Sequence, residues 1–155
     1  MASTRTPAKP APVKPNVRAL MVLSSLSIRS TESDRELVLS QYQNERMRVD
    51  LEGAAVSAYA DIWLYTDGPD LNSFIQELGR FERPWQGVRS WSSIEKDFSL
   101  SATCTSLGVV EFRIELRAAQ GEPEEWLVKA GLVLEFGQLP QIAKDFNAFL
   151  TDTPP

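Results

Sequence analysis

Hydrophobic and polar positions alternate along most of the chain. Leu26 and Ile28 alternate with Ser27 and Arg29, the polar run at 30–34 makes a turn, and Leu37, Val38 and Leu39 follow. Met47, Val49 and Leu51 then alternate with Arg48, Asp50 and Glu52, a period of two that predicts a half-buried strand punctuated by Gly53. Across 54–65, Val56, Ala58, Ala60, Ile62 and Leu64 share one face, while Ser57, Tyr59, Asp61, Trp63 and Tyr65 share the other. The expectation is a long strand with one aliphatic face and one polar-aromatic face.

The period changes at 66–70. Thr66 or Asp67 can cap a helix, Pro69 is tolerated in its first turn, and Asp70 suits the positive end of the helix dipole. Leu71, Phe74, Ile75, Leu78 and Phe81 recur at helical spacing, and Pro84 marks the limit of that helix. Alternation then returns. Phe98, Leu100, Ala102 and Cys104 form one apolar set, and Val110, Phe112, Ile114 and Leu116 a second, with Gly108 in the hairpin loop between them. After the loop at 121–125 come Trp126, Val128, Ala130, Leu132, Leu134 and Phe136, the apolar set of a further strand. A final helical stripe holds Leu139, Ile142, Ala143, Phe146, Phe149 and Leu150. No internal repeat is evident in the residues.

Strands joined by short turns pair antiparallel, and a sheet with one apolar face must bury it. The pattern therefore predicts an α+β fold: an antiparallel sheet of about six strands with two amphipathic helices packed on one face. The other face, open to water, is expected to show Asp97, Ser99, Glu111, Arg113, Glu115 and Arg117.

Length and charge divide the chain. Its 155 residues suit one domain. Residues 1–18 hold Pro7, Pro10, Pro12 and Pro15 with few apolar side chains, a composition expected to stay an extended, disordered leader, so the α+β domain is placed at 19–155. The leader carries Arg5, Lys9, Lys14 and Arg18 and no acid, which leaves 12 basic against 21 acidic side chains in the rest, a net −9 behind the overall −5. Such a body repels nucleic acid and anionic membranes and favours a basic partner, although net charge also serves solubility alone. The run from Ala19 to Leu26 is too short and too interrupted for a secretory signal, and no stretch reaches the roughly 18 apolar residues that cross a bilayer. A cytoplasmic location is the expectation.

Candidate chemistry is sparse. Histidine is absent, which removes the commonest general base and metal ligand. The single cysteine, Cys104, falls on an inward strand face, where a structural thiol is expected. Asp67 and Asp70 are accounted for by helix capping, and Glu122, Glu124 and Glu125 lack the spacing of a calcium loop. No glycine-rich phosphate loop occurs. Arg80, Arg83 and Arg89 around Trp85 and Trp91 form the one local basic-aromatic cluster, better read as a hydrophobic plug at the end of the helix layer than as a base-stacking site. No catalytic, cofactor-binding or metal-binding residue is assigned.

The segment Pro84-Trp85-Gln86-Gly87-Val88-Arg89-Ser90-Trp91-Ser92-Ser93 has a W-x-G-x-x-x-W pattern. With Gly108-Val109-Val110 and Phe136-Gly137-Gln138-Leu139-Pro140, it resembles a family of small bacterial proteins of unknown function, over roughly residues 57 to 150. Similar α+β domains include immunity proteins of polymorphic and contact-dependent toxin systems. Val109 stands where a histidine is often expected in that family. The resemblance implies a non-enzymatic immunity protein that neutralises a cognate, basic toxin by direct association. Its partner-binding residues are expected to be Asp97, Glu111 and Glu115 on the open face, with Trp63 and Tyr65 as aromatic anchors. The alternatives are a carboxylate-based enzyme or small-ligand-binding domain, and an adaptor that docks through its N-terminal leader.

Overall fold

A computed structural model of the chain describes residues 25–65 and 67–151. The leader at 1–18 and Thr66 lie outside them. Four strands come first: β1 (Ser25–Arg29), β2 (Glu36–Gln43), β3 (Arg46–Glu52) and β4 (Ala58–Trp63). They pair antiparallel in that order and lead into helix α1 (Asp67–Arg80). Four more follow: β5 (Arg89–Ser92), β6 (Phe98–Cys104), β7 (Val109–Arg117) and β8 (Leu127–Glu135), again antiparallel in chain order. A 3-10 turn at Phe136–Gln138 then opens helix α2 (Leu139–Thr151). The order of elements thus repeats, four strands and a helix twice over, although the residues show no repeat.

The α+β class and the antiparallel pairing agree with the sequence pattern. A single sheet of about six strands does not: the strands form two sheets of four. Helix α1 separates β4 from β5 and ends the succession of hairpins, so the alternating segments on its two sides build separate sheets. β5 also escapes the pattern, because its four residues include no aliphatic side chain and only Trp91 is even half-buried. The strand expected over 54–65 is shorter than its alternation, with regular pairing confined to Ala58–Trp63.

Inward side chains of both sheets and both helices make one core. Leu37, Leu39, Val49 and Leu51 from the first sheet join Phe98, Phe112, Ile114 and Leu132 from the second, all at 0 or 1% exposure. Phe74 and Leu78 of α1 and Phe146 and Phe149 of α2 belong to the same cluster. Each apolar face therefore buries against the other sheet as well as against the helices. The helices touch closely at Gly79, where a Cβ would stand 2.6 Å from that of Ala143, so the absent side chain sets the approach. Trp85 is buried as a plug between Phe81 and Phe136, at ring separations of 5.0 and 6.4 Å, and Trp91 meets Phe98 edge-on.

Both ends of strand β8 line hollows that the first sheet also lines. Val128 near its start shares a cleft with Ala58 and Ala60 of β4, and Leu134 near its end lies beside Ile28 of β1. The turn between β1 and β2 covers the outer edge of β8. Thr31 N–H donates to Val133 O at 2.8 Å, Val133 N–H to Ser30 Oγ at 3.1 Å, and Arg35 Nη1 to Gly131 O at 3.1 Å. Those contacts satisfy groups that would otherwise offer a pairing edge. At β4 no such cover exists among the described residues: apart from its ladder with β3, no backbone hydrogen bond reaches this strand.

Candidate functional site

The uncovered edge of β4 borders an open cleft of about 880 Å³. Tyr59, Asp61 and Trp63 form one wall with Arg46 of β3, and Arg117, Glu122 and Trp126 stand on the other side. The first wall follows from strand register. Hairpin β2–β3 turns at Asn44 and Glu45, both at positive φ as a tight I′-type connection requires, and pairs Gln43 with Arg46, while the antiparallel β3–β4 register sets Arg46 opposite Trp63, Arg48 opposite Asp61 and Asp50 opposite Tyr59. Arg46 then lies over the Trp63 ring at 4.7 Å and Arg48 over Tyr59 at 4.1 Å, while Arg48 Nε also donates to Asp50 at 3.1 Å. Alternating cations and rings of this kind hold each other's rotamers at the cost of little burial.

Trp63 and Tyr65 are brought together. Their rings stack at 6.0 Å with 25° between planes, and they keep 40% and 42% of their surface exposed. Tyr65 achieves this with φ at 47°, in the left-handed region that costs a bulky residue about 1–2 kcal/mol. Its hydroxyl donates to Glu95 at 2.9 Å, and that hydrogen bond to a carboxylate holds the phenol above its usual pKa.

Glu95 belongs to a loop fixed from three directions. Asp67 Oδ2 accepts from Ile94 N–H at 2.8 Å, so this carboxylate ties the start of α1 to the loop, a role that capping did not anticipate. Arg117 Nη2 donates to Glu95 O at 3.2 Å, and Ser93 Oγ donates to Asp97 Oδ1 at 2.7 Å while accepting from Phe98 N–H.

Asp97 itself departs from expectation. The pattern puts it on the open sheet face, but it is only 4% exposed and contributes to the cleft lining from the buried side. Strand β6 begins at Phe98, so Asp97 occupies the preceding turn, where the alternation of faces no longer applies. Burial pushes its carboxyl above the usual carboxylate range, against the opposing pull of the hydrogen bond from Ser93. The folded protein therefore holds this proton more tightly than the unfolded chain. That contribution to stability is complete below the unfolded value and is lost as pH rises through the raised folded value. Asp97→Asn is expected to flatten the pH dependence of the urea midpoint just above the ordinary carboxylate value of about 4. An unchanged slope in the variant would assign that dependence to other groups.

Glu111 and Glu115 do lie on the outer face of the second sheet, but neither lines the cleft. Glu111 sits 3.4 Å from Arg113 and Glu115 3.2 Å from Lys129, so both acids are compensated at the surface. Arg117, two residues beyond Glu115 on β7, is where that face reaches the cleft. Tyr59 and Asp61 were already on the polar-aromatic face with Trp63. Arg46, Arg117 and Trp126 were not legible as neighbours, since their convergence depends on how the two sheets meet.

Other candidate chemistry stays local. Cys104 is half-buried, and burial raises its thiol pKa. Arg89 pairs with Glu77 at 3.2 Å and covers the Phe81 ring at 5.4 Å, which engages the basic-aromatic cluster near Trp85 internally. Among the described residues no group of three or more Asp, Glu or Cys side chains is arranged to hold a metal ion, and no helix is long and apolar enough to cross a membrane.

No curated protein is found to match the chain. Residues 28–153, which take in both sheets except the first three residues of β1, both helices and every wall of the cleft, match a family of unknown function (DUF6228), and the chain belongs to that family.

Proposed function

We propose that the chain is a non-enzymatic binding protein, an immunity protein that neutralises a cognate bacterial toxin by direct association through the β3–β4 face and its cleft. The observation that carries this reading is the stacked, half-exposed Trp63–Tyr65 pair, held at the cleft rim by Glu95. Rigid aromatic side chains flanked by arginine are the residues that concentrate binding energy at protein interfaces. Here they keep their shape before any partner arrives, so less ordering entropy is lost on association.

Charge supports the choice of partner. The body beyond the leader is net −9, and Glu122, Glu124 and Glu125 crowd the loop beside the cleft. A basic toxin surface would be steered toward that rim, with gains mainly in association rate and specificity. Glu111 and Glu115 enter as peripheral charges. Asp97 serves as a support for the loop that carries Glu95.

Co-expression with the product of the adjacent gene tests the reading: rescue of growth and a stoichiometric complex on purification are expected. Neither rescue nor complex would remove it. A second reading, a small-ligand site, is favoured by the cleft alone, whose volume of about 880 Å³ falls in the range of ligand pockets. Its mark would be a complex-free chain that retains a small molecule, lost on Trp126→Ala.

A further inference from the structure

The uncovered edge of β4 presents its backbone groups in a fixed order. Leu64 N–H donates to Glu45 O, and the register continues that pairing through Met47 with Ile62, Val49 with Ala60 and Leu51 with Ala58. Bonding alternates sides along an antiparallel strand, so these residues of β4 bond to β3. The N–H and C=O groups of Tyr59, Asp61 and Trp63 therefore point the other way, toward the cleft that these residues line. Among the described residues none of these six groups has a backbone partner.

Edge strands usually carry a bulge, a proline or an inward-pointing charge that blocks a further strand. β4 has none of these: its register runs unbroken from Ala58 to Trp63, and its inward side chains are Ala58, Ala60 and Ile62. Ala58 and Ala60 are small and half-buried, and they share the cleft with Val128, which leaves room beside the edge for the apolar side chains of an added strand.

Charge selects the occupant. Pairing with β4 of a second copy would, at the register of fullest overlap, set Asp61 opposite Asp61, and two bodies of net −9 repel. A strand from another protein escapes both penalties. Apart from the buried Asp97, the charges of the lining balance, Arg46 and Arg117 against Asp61 and Glu122, and arginines already cover the Trp63 and Tyr59 rings. The outward side of the occupant therefore calls for neutral, hydrogen-bonding side chains and the inward side for apolar ones.

We propose that the partner docks by adding an extended, proline-free segment of alternating neutral-polar and apolar residues to β4 as a fifth strand of the first sheet. The inference rests on the cleft being a protein docking surface and not on the partner being a toxin.

The test uses the isotope-labelled full chain and the peptide acetyl-Thr-Val-Thr-Val-Thr-amide with both valines N-methylated. Its threonine N–H groups stay free on one edge to meet Tyr59, Asp61 and Trp63, while the methyl groups block the other edge. Titration is expected to shift those three amide signals and slow their hydrogen exchange, leaving Ala58, Ala60 and Ile62, already bonded to β3, nearly unchanged. The same peptide N-methylated at every residue should not bind. Asp61→Pro removes one outward donor without touching the β3 ladder and should weaken binding at least about tenfold, while Asp61→Ala, which keeps the donor, should stay within about two-fold. No shift at the three amides, equal binding of the fully methylated peptide, or an Asp61→Pro variant that binds like Asp61→Ala each overturn the proposal. If Asp61→Pro fails to fold, the fully methylated peptide decides alone. No toxin is present in the measurement, so its failure stands apart from a failure to find the partner.

Discussion

Replacing Phe112 by alanine is expected to lower the free energy of unfolding by about 4 kcal/mol, the usual scale for emptying a buried phenylalanine site. Phe112 is 1% exposed and projects from β7, an interior strand of the second sheet, between Ala102 on β6 and Leu132 on β8. Ala102 is already the smallest apolar neighbour available, so little can move in to fill the space. A domain of this size has only about 5–15 kcal/mol in hand, and the variant should be close to unfolding at physiological temperature. Urea denaturation followed by tryptophan fluorescence measures the loss. Val109→Ala, on the same strand but 45% exposed, should change stability by less than about 0.5 kcal/mol. Equal losses at the two positions would contradict the placement of the core between the sheets.

Trp63→Ala is expected to leave the fold intact and to weaken the proposed complex by about 2 kcal/mol, close to thirty-fold in Kd. The substitution removes the ring over which Arg46 lies and against which Tyr65 stacks, both at a half-exposed site worth less than about 1 kcal/mol to folding. Glu111→Ala and Glu115→Ala offer the contrast. Each acid is compensated by a neighbouring cation, so the expected effect is a slower, less salt-sensitive association with a nearly unchanged dissociation rate. Titration calorimetry and stopped-flow association separate the two behaviours. If Glu115→Ala cost as much affinity as Trp63→Ala, the interface would belong on the outer face of the second sheet.

Much of the fold is visible in hydrophobic period. The stripes at Leu71, Phe74, Ile75 and Leu78 and at Leu139, Ala143, Phe146 and Phe149 are the buried faces of the two helices. The alternation from Met47 to Leu51 and from Val110 to Leu116 correctly separates inside from outside. Period is a local property, however, and it says nothing about which strand lies beside which. It also loses its meaning at strand ends. Asp97 kept step with the outward residues that follow it, yet one residue before β6 the chain turns and Ser93 draws the carboxylate inward.

The candidate site was legible to the same extent. Trp63 and Tyr65 stand out as large aromatics on the polar face of a strand, and no long-range information is needed to see that an exposed ring there is unusual. Their stacking required the left-handed kink at Tyr65 and the anchor at Glu95, thirty residues away in sequence. Arg117 ends a strand of the other sheet, and Trp126 belongs to the loop just before β8.

By itself, then, the sequence determined the α+β class, the antiparallel pairing, the two buried helix stripes, the outward aromatic face of β4 and the contrast between a basic leader and an acidic body. Those are consequences of local spacing and composition. Only the tertiary structure decided that the strands divide into two sheets at α1, that Asp97 is a buried support, and that β4, Arg117 and Trp126 enclose a cleft. The reason is physical: burial of one apolar face is encoded in each segment, but the partner that covers it is selected by the packing of the whole core.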